Sequence, residues 1–374
     1  MKSAISRRGF FSMLGKTGAT LAAAPIISNL GFGKSGAIAS AEAQTFEDLP
    51  SNNTMATRAS YVPVQTPGIA TLPFVVEGGV KVFRLVAEPV TIQFPDVSDP
   101  NGFKKRPVHA WGYNGSVIGP TIEAVEGDRV RIIVENRLPE PTTVHWHGLH
   151  VPIEMDGVAG ISQDPIPPGG TFTYEFTLEQ HGTYFYHPHF MGAKQVGMGM
   201  TGFFIIHPRN PDPSLVVDRD YAYFLQIWMI QPGSPIPDTL EMTDFNFFTM
   251  NGRPAPMIKP MQANSGERIR IRVANLSMMT HPIHLHGHTF RVSEYGAGFL
   301  PRNQQIIANT IDISSAEVRT LEFVAGRKGQ WVFHCHFMHH TMNDMHRIPL
   351  VGTPGGGGHA GHDSGGMHTW IDVK

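Results

Sequence analysis

The sequence predicts an all-β protein made of two Greek-key β-sandwich domains. An internal repeat indicates two homologous domains, and short segments of period-two hydrophobicity between turn signals indicate strands. Beyond the N-terminal region, no helix-length amphipathic stretch appears. The composition agrees, because glycine and proline supply 40 and 30 of the 374 residues while charged residues make up only 16%. At roughly 100–200 residues per domain, this length suits two domains.

Two blocks of sequence occur twice, in the same order. The stretch GDRVRIIVEN at Gly127–Asn136 returns as GERIRIRVAN at Gly266–Asn275, with an offset of 139. The stretch HGTYFYHPHF from His181 returns as KGQWVFHCHF from Lys328, with an offset of 147. Because the order is kept and the offsets nearly agree, we predict two homologous domains of about 140 residues each.

Alternating apolar and polar residues mark individual strands, for example at Thr171–Leu178, Arg268–Val273 and Val318–Val324. The Pro- and Asp-rich segment 209–213 is the predicted linker, so the domains are expected at 44–210 and 211–352. The Gly- and His-rich tail 353–374 has few apolar residues, and we expect it to be disordered.

Residues 1–43 have the layout of an export signal, with a basic start, an apolar stretch and small residues before a cleavage site after Ala43. The pair Arg7-Arg8, between Ser6 and Phe10, resembles a twin-arginine signal and predicts a periplasmic or secreted protein. Removal of five basic residues and one acidic residue leaves an acidic chain, which argues against nucleic-acid binding. No later run approaches the roughly 20 apolar residues of a membrane span.

Twenty histidines in a nearly neutral chain require a chemical explanation. Eight of them form four His-x-His motifs, two in each repeat: His145/His147, His187/His189, His284/His286 and His334/His336. On a strand, residues i and i+2 face the same side, so each motif presents two adjacent imidazoles. Neutral imidazoles bind copper, zinc, iron or nickel. The matched motifs therefore predict a metal cluster that draws ligands equally from both domains.

The only cysteine, Cys335, excludes an internal disulfide and lies between two of these histidines. Its side chain is expected on the opposite face of the strand, together with three further candidate ligands: His281, His340 and Met345. Two imidazoles, one thiolate and a distant thioether are the ligand set of a blue-copper site. A buried, inert thiol is the alternative.

The first domain lacks the corresponding ligands. The positions equivalent to His281, Cys335 and His340 are Thr142, Pro188 and Ala193. We therefore predict a blue-copper site in the second domain only.

With these motifs, the chain resembles the multicopper oxidases over essentially all of its length after the signal. HWHG, HPH, HPIHLHG and HCHFMHHTMNDM are the copper motifs of that family. The resemblance implies cupredoxin-like domains and four copper ions per subunit. It assigns the type 1 copper to His281, Cys335, His340 and Met345, and the type 2 copper to His145 and His284. It assigns the type 3 pair to His147, His187, His189, His286, His334 and His336.

The resemblance also implies a reaction. A phenolic or metal-ion reductant would give up electrons one at a time, and dioxygen would be reduced to water by four electrons. Cys335 would pass electrons along its own strand to the neighbouring histidines. Asp156 matches an acidic residue near the type 2 copper and is a candidate base, with an Asp-Gly turn as the alternative. Thr341 stands where three-domain members often carry an acid, with Asp344 or water as substitutes.

Only 92 residues separate His189 from His281, too few for a third domain. The chain thus resembles the two-domain, laccase-like branch, in which a homotrimer forms its copper cluster between domain one of one subunit and domain two of the next. A nitrite reductase-like enzyme is an alternative, although its type 1 cysteine lies in the first repeat. A non-catalytic copper-binding protein is another.

The reductant stays open among a phenol, Cu(I), Fe(II) and Mn(II). Methionines cluster near the metal motifs, at positions 191, 198, 200, 278, 279, 338 and 342. Soft thioethers suit Cu(I), whereas filling of irregular core gaps is the alternative explanation.

Overall fold

The computed structural model describes residues 61–96, 104–296, 298–342 and 365–374, and the predicted export signal lies outside them. The first ten strands are β1 (Val64–Gln65), β2 (Phe74–Glu77), β3 (Val80–Pro95), β4 (Lys105–Tyr113), β5 (Gly119–Val125), β6 (Arg129–Asn136), β7 (His145–His147), β8 (Thr171–Thr177), β9 (Gly182–His187) and β10 (Gly202–His207), with helix α1 at Gly192–Gly197. Single 3-10 turns lie at Ile153–Met155, Pro213–Leu215 and Arg302–Gln304.

The remaining strands are β11 (Arg219–Trp228), β12 (Phe247–Met250), β13 (Met261–Ala263), β14 (Arg268–Asn275), β15 (His281–Leu285), β16 (Phe290–Tyr295), β17 (Ile306–Ala308), β18 (Thr310–Ile313), β19 (Glu317–Val324), β20 (Gly329–Cys335) and β21 (His368–Val373), with helix α2 at Met338–Thr341. Among the described residues, neither helix has the length and apolarity of a membrane span. The prediction of an all-β fold is confirmed.

Strands β2–β10 form the first sandwich. One sheet has the order β2-β3-β6-β8, with β4 paired to β3, and the other has the order β5-β10-β9-β7. Side chains from both sheets meet in one core that includes Trp146, Tyr174 and Phe204. On β6, Val130 and Ile132 are buried while the alternating positions are not, as the period-two pattern predicts.

The second sandwich repeats this plan. One sheet has the order β1-β11-β14-β19-β16-β17, with β12 on β11, and the other has the order β13-β21-β20-β15-β18. Its core includes Ile271 and Leu321 from the first sheet and Ile283 and Phe333 from the second. Each repeated block occupies the same place in its sandwich, because β14 matches β6 and β20 matches β9 in their pairing.

The last ten residues differ from the expectation of a disordered tail at 353–374, which is wrong for 365–374. Strand β21 lies between β13 and β20, and Thr369, Ile371 and Val373 are buried on it. It takes the place that β10 occupies in the first sandwich, so the second sandwich is complete only with this strand. Residues 353–364 lie outside the described part.

The two sandwiches are joined by an apolar core and a buried ion-pair network. Phe185 and Phe203 of the first sandwich pack with Phe224 and Ala274 of the second. Beside them, Arg272 forms a bidentate pair with Asp220, with both nitrogen–oxygen distances at 2.8 Å, and donates to Thr183 Oγ1 of β9 at 2.6 Å. Asp220 and Arg272 are 1% and 2% exposed, so their charges need compensation within the network, to which Arg270 and Glu294 also belong.

We expect the substitution Asp220→Asn to destabilise the protein by about 3–5 kcal/mol, because it removes the buried carboxylate that compensates the charges of Arg272 and Arg270. Burial alone would raise the pKa of Asp220, but the charges of Arg272 and Arg270 outweigh it and hold that pKa below the usual range. The stabilisation is therefore present at neutral pH and is lost as pH falls through the lowered pKa. Chemical denaturation at pH 7 measures the change, and Glu88→Gln, which breaks a surface pair with Arg137, should cost only about 0–1 kcal/mol.

Candidate metal centres

Cys335 and two histidines form a buried cluster in the second sandwich. The Sγ atom of Cys335 is 3.3 Å from Nδ1 of His340 and 3.9 Å from Nδ1 of His281, and these two nitrogens are 3.0 Å apart. All three residues are fully buried. Two imidazoles and one thiol that converge in this way fit the His₂Cys ligand set of a blue-copper site. Met345 lies outside the described residues, so its role as the fourth ligand stays a prediction.

Ser277 sets the orientation of His281. Its hydroxyl lies 2.8 Å from Nε2 of His281 and donates to the carbonyl of Met279 at 3.1 Å. Because a hydroxyl has one proton, this arrangement makes Nε2–H of His281 the donor to Ser277. The lone pair of His281 Nδ1 then points toward Cys335, where a metal would accept it.

Burial also sets the protonation states of this cluster. It lowers the pKa of His281 to about 3 and that of His340 to about 2, so both imidazoles are neutral, the form that binds metal. Burial raises the pKa of the Cys335 thiol to about 12. The thiol without metal therefore keeps its proton, which a bound copper ion would displace.

The paired strands β15 and β20 separate this cluster from the neighbouring histidines. Ile283 lies opposite Cys335 and His284 lies opposite His334 in the antiparallel register. His281, Ile283 and Cys335 face the core, whereas His284 and His334 alternate with them and face away from it. The predicted placement of Cys335 and His334 on opposite faces of one strand is confirmed, whereas His336 follows the end of β20.

His284, His286, His334 and His336 form the second-sandwich histidine set. His334 donates from Nδ1 to the carbonyl of Cys335 at 2.7 Å, and its Nε2 lies 3.1 Å from Nε2 of His286. His284 donates from Nδ1 to the carbonyl of Asn309 at 2.7 Å. The rings of His284 and His336 are 5.6 Å apart. Because a carbonyl can only accept, Nε2 of His334 and of His284 keep lone pairs for a metal.

His145, His147, His187 and His189 form the first-sandwich histidine set. His187 donates from Nδ1 to the carbonyl of Pro188 at 3.0 Å, and its Nε2 lies 3.3 Å from Nδ1 of His147. The rings of His145 and His189 are 5.5 Å apart. Burial lowers the pKa of His187 to about 3 and that of His147 to about 4. These imidazoles are therefore neutral metal donors at physiological pH.

The two histidine sets stay apart within one chain. The described metal-ligand atoms form three groups, and none of these groups combines residues of the two sets. His189, His286 and His336 are exposed at the residue level. Each set therefore offers half of the predicted eight-histidine cluster and opens toward solvent.

Asp156 contacts the first set directly. The Nδ1 atom of His145 lies 2.8 Å from the carbonyl oxygen and 3.3 Å from Oδ1 of Asp156. Gly157, at φ +77°, carries the chain past β7, where an added Cβ would lie 1.9 Å from the carbonyl oxygen of Val144. Asp156 is thus both part of an Asp-Gly turn and a neighbour of a predicted ligand, and its role as a base stays a prediction.

In the first sandwich, neutral side chains occupy the region that corresponds to the cysteine cluster. Thr142 Oγ1 donates to Oε1 of the buried Gln195 at 2.8 Å. The described residues contain a single Cys–His group, which lies in the second sandwich. Thr341 is buried, and its hydroxyl donates to the carbonyl of Met338 at 2.9 Å. Asp344 lies outside the described residues.

Several site residues were not predicted from the sequence. Ser277 and Asn309 orient His281 and His284 through loop geometry that no motif shows. His368, assigned to the tail, lies on β21 opposite His334, with the two rings 6.0 Å apart. The equivalence of β21 and β10 is the signal that could have placed His368 there.

The methionines divide into two groups. Met198, Met200 and Met342 are buried and fill core space. Met278 and Met338 are 63% and 60% exposed and flank the cysteine cluster in sequence. Of the methionines proposed for Cu(I), these two and Met191, which is 59% exposed, are accessible from solvent.

Comparison with known proteins agrees with this arrangement. A family model described as "Multicopper oxidase" matches residues 98–211, and a second model with the same description matches residues 230–353. The structure is similar to the blue copper oxidase from Nitrosomonas europaea, with a TM-score of 0.66 and 31% identity, and the match covers 78% of this chain and 85% of that one.

Two curated relatives match over shorter parts of their length. The chain is 42% identical over 115 residues to a copper resistance protein A homolog of Pseudomonas syringae pv. tomato, which covers 31% of this chain and 19% of that protein. It is 28% identical over 256 residues to a probable nitrite reductase-hydroxylamine oxidoreductase fusion protein of Kuenenia stuttgartiensis, which covers 65% of this chain and 29% of that protein. The chain thus spans less than a third of these two relatives.

Proposed function

The chain belongs to the multicopper oxidase family, and from that premise we propose that it oxidises a reductant one electron at a time and reduces dioxygen to water. The observation that supports this most directly is the buried Cys335 cluster on one face of β20. Its cysteine is flanked in the chain by His334 and His336, two histidines of the second-sandwich set. Copper bound at these sites would supply one-electron redox chemistry.

The donor sets fit copper. The Cys335 cluster offers two neutral imidazoles and a thiol. In the second-sandwich set, the Nε2 atoms of His286 and His334 lie 3.1 Å apart, and Nε2 of His334 has a lone pair because its Nδ1 carries the proton. We assign the type 1 ion to His281, Cys335, His340 and Met345, and the type 2 ion to His145 and His284. The remaining six histidines of the motifs would hold a type 3 pair, so we expect four copper ions per chain.

The path of an electron from the cysteine to the histidines is short. Cys335 is covalently joined to both His334 and His336, and the Nδ1–H of His334 also donates to the Cys335 carbonyl at 2.7 Å. With copper bound, an electron that leaves the sulfur would have two routes to the His334 ring, through the peptide bond or across this hydrogen bond. The reductant would deliver it at the surface beside Met278, Phe337 and Met338, which are all exposed.

We propose that a second copy of the chain completes the histidine cluster. The support is that each histidine set is half of the expected eight and opens to solvent. If the first set of each copy meets the second set of the next copy, every set is completed by the same head-to-tail contact. Contacts of this kind between copies close into a ring. A homotrimer is the ring that we expect.

The N-terminal sequence supports a place for this reaction outside the cytoplasm. Residues 1–43 carry the pair Arg7-Arg8 and small residues before Ala43, so we propose export by the twin-arginine route to the periplasm or beyond.

We expect Asp156→Asn to slow oxygen consumption by about 10–100-fold, the usual cost of losing a partner that orients a metal ligand. The backbone carbonyl contact with His145 stays, so the loss would report the carboxylate itself as a proton carrier near His145. Oxygen uptake at saturating reductant measures the effect. Absorption near 600 nm should not change, because the Cys335 cluster lies in the other sandwich. Glu179→Gln, at an exposed acid of the same sandwich, is the control, and an equal loss there would argue against a specific role of Asp156.

Oxygen uptake with a phenol, Cu(I), Fe(II) and Mn(II) in parallel tests the proposed activity. We expect one dioxygen consumed for every four one-electron donors oxidised, with at least one of these reductants. A nitrite reductase-like activity is the rival, suggested by the name of the Kuenenia stuttgartiensis relative. Nitrite reduction without oxygen uptake would support that rival, and neither activity would indicate a copper-binding protein without catalysis.

A further inference from the structure

A cavity lies between the first sandwich and segment 229–246, which joins β11 to β12. Its volume is about 470 Å³, within the range of roughly 300–1,000 Å³ that small-molecule sites span. None of the residues that line it belongs to the Cys335 cluster or to either histidine set. We call it the Trp111 cavity, because it is built around the side chains of Trp111, Lys194 and Ile236.

Two cross-strand pairs of β3 and β4 form the floor of the Trp111 cavity. Pro89 lies opposite Trp111, and Thr91 lies opposite His109. Because alternate residues of a strand share a face, these four side chains lie on one side of the sheet. The Nδ1 atom of His109 is 3.1 Å from Oγ1 of Thr91. The floor therefore combines an indole and a proline ring with two polar side chains.

Backbone hydrogen bonds to β4 hold the two walls in place. The N–H of Trp111 donates to the carbonyl of Met198, at the end of α1, at 2.9 Å. The N–H of His109 donates to the carbonyl of Pro235, in segment 229–246, at 2.7 Å. Alternate N–H groups on one edge of a strand thus bind two separate segments, and both segments line the cavity. The cavity is therefore preformed.

The walls are mainly apolar. Met198 follows α1, and Ile236 and Pro237 come from segment 229–246. Ile236 is 52% exposed, so part of this apolar surface is open to solvent. At Gly197, an added Cβ would lie 3.0 Å from Cγ2 of Thr239, so α1 and segment 229–246 are in contact there. The two walls therefore meet at Thr239, which also lines the cavity.

Lys194 provides the charge of the Trp111 cavity. Its Nζ atom lies 5.0 Å from the centroid of the Trp111 ring and forms an ion pair with Glu140. An ammonium group has three N–H donors, so a ligand can share it with Glu140. Among the described residues that line the cavity, none is acidic and Lys194 is the only lysine or arginine. An anionic group is therefore the electrostatic complement of this site.

We propose that the Trp111 cavity binds a small aromatic carboxylate. Its ring would lie against the indole of Trp111, and Ile236 and Pro237 would cover it. Its carboxylate would accept hydrogen bonds from the ammonium of Lys194 and the hydroxyl of Thr91. The inference does not depend on the proposed oxidation, because the cavity contains no predicted copper ligand of this chain.

Calorimetric titration of the copper-loaded protein with 2-naphthoate tests this site, with no reductant present. We expect one molecule bound per chain. Lys194→Met removes the ammonium and Trp111→Leu removes the indole, and each should weaken binding about tenfold or more. Lys194→Arg keeps the charge and should restore most of the affinity. The neutral analogue 2-naphthamide should bind about tenfold or more weakly than 2-naphthoate, because it lacks the charge.

Lys81→Met is the matched control. Lys81 also forms an ion pair, with Asp128, and its Nζ lies 4.8 Å from the centroid of the Phe74 ring, but it does not line the cavity. This control should bind 2-naphthoate as the wild type does. A cooperative thermal unfolding transition shows that each variant has folded.

Four results would overturn the proposal. They are a wild-type protein that does not bind 2-naphthoate, a folded Lys194→Met or Trp111→Leu variant with wild-type affinity, a Lys81→Met control with the same loss, and an amide that binds as tightly as the carboxylate. A protein that binds 2-naphthoate as expected but consumes no oxygen with any reductant would keep this site and refute the oxidase. A protein that consumes oxygen but does not bind 2-naphthoate would do the reverse.

Discussion

We expect replacement of Cys335 by serine to abolish both the absorption near 600 nm and the oxidation of every reductant. The reason is that the thiol is the one soft ligand of the buried cluster and also the start of the only direct covalent path to His334 and His336. The loss in oxygen uptake should exceed the roughly 10–100-fold loss that follows removal of a residue hydrogen-bonded to a metal ligand. Visible spectroscopy and an oxygen electrode measure the two effects.

Ser277→Ala is the matched comparison for that experiment. It removes the hydroxyl 2.8 Å from Nε2 of His281 but leaves all the predicted ligands in place. We expect it to retain the 600 nm band and to lose activity only partly, within about 10–100-fold. A Cys335→Ser protein that keeps the band or oxidises a reductant at the wild-type rate would contradict the role of the thiol.

Two variants that are each inactive should restore activity when they assemble together. His145→Ala with His147→Ala disables the first histidine set, and His286→Ala with His334→Ala disables the second. If the cluster forms between copies, each contact joins the first set of one chain to the second set of another. In an equal mixture half of the chains keep an unaltered first set and half keep an unaltered second set. Random co-assembly therefore makes about a quarter of the contacts intact. Oxygen uptake after joint refolding or co-expression measures the recovery.

A mixture of the same histidine variant with itself is the control and should stay inactive. A pair of variants that never recovers activity, although the mixed assembly is shown by mass, would place the cluster within one chain.

Much of the metal chemistry could be predicted from residue spacing. The period of two in a strand places Cys335 and its two neighbours on opposite faces, and the structure has this arrangement for Cys335 and His334. In the structure β15 pairs with β20 in the antiparallel register, which brings His281 to Cys335. The period of two fixes which face each residue takes, but it does not say which strands pair.

The last strand was missed because a glycine-rich stretch hides it. The six residues HTWIDV at His368–Val373 alternate as a strand should, but a segment rich in glycine precedes them. The repeat contains the missing information, since the first sandwich continues to β10 after its second histidine motif. A sandwich that lacked β21 would leave the facing edges of β13 and β20 unpaired and would remove Ile371 and Val373 from the core.

The partners of the histidines could not be predicted, because they depend on loop conformation. The carbonyls of Asp156 and Asn309 reach His145 and His284 from segments 11 and 25 residues further along the chain. No periodicity fixes where such a loop returns. The separation of the two histidine sets has the same origin, since it depends on how the sandwiches pack at Phe185, Phe224 and Arg272.

Copper content per chain and visible absorption, measured on the wild type and on the His145→Ala/His147→Ala variant, test whether one thiolate-bound copper serves a separate cluster of three. We predict about four copper ions per wild-type chain with a band near 600 nm. In the variant we predict about one copper ion per chain with the band retained, because the Cys335 cluster uses neither of the two histidines. About four copper ions in the variant, or a wild-type protein that has no band, would contradict the copper assignment.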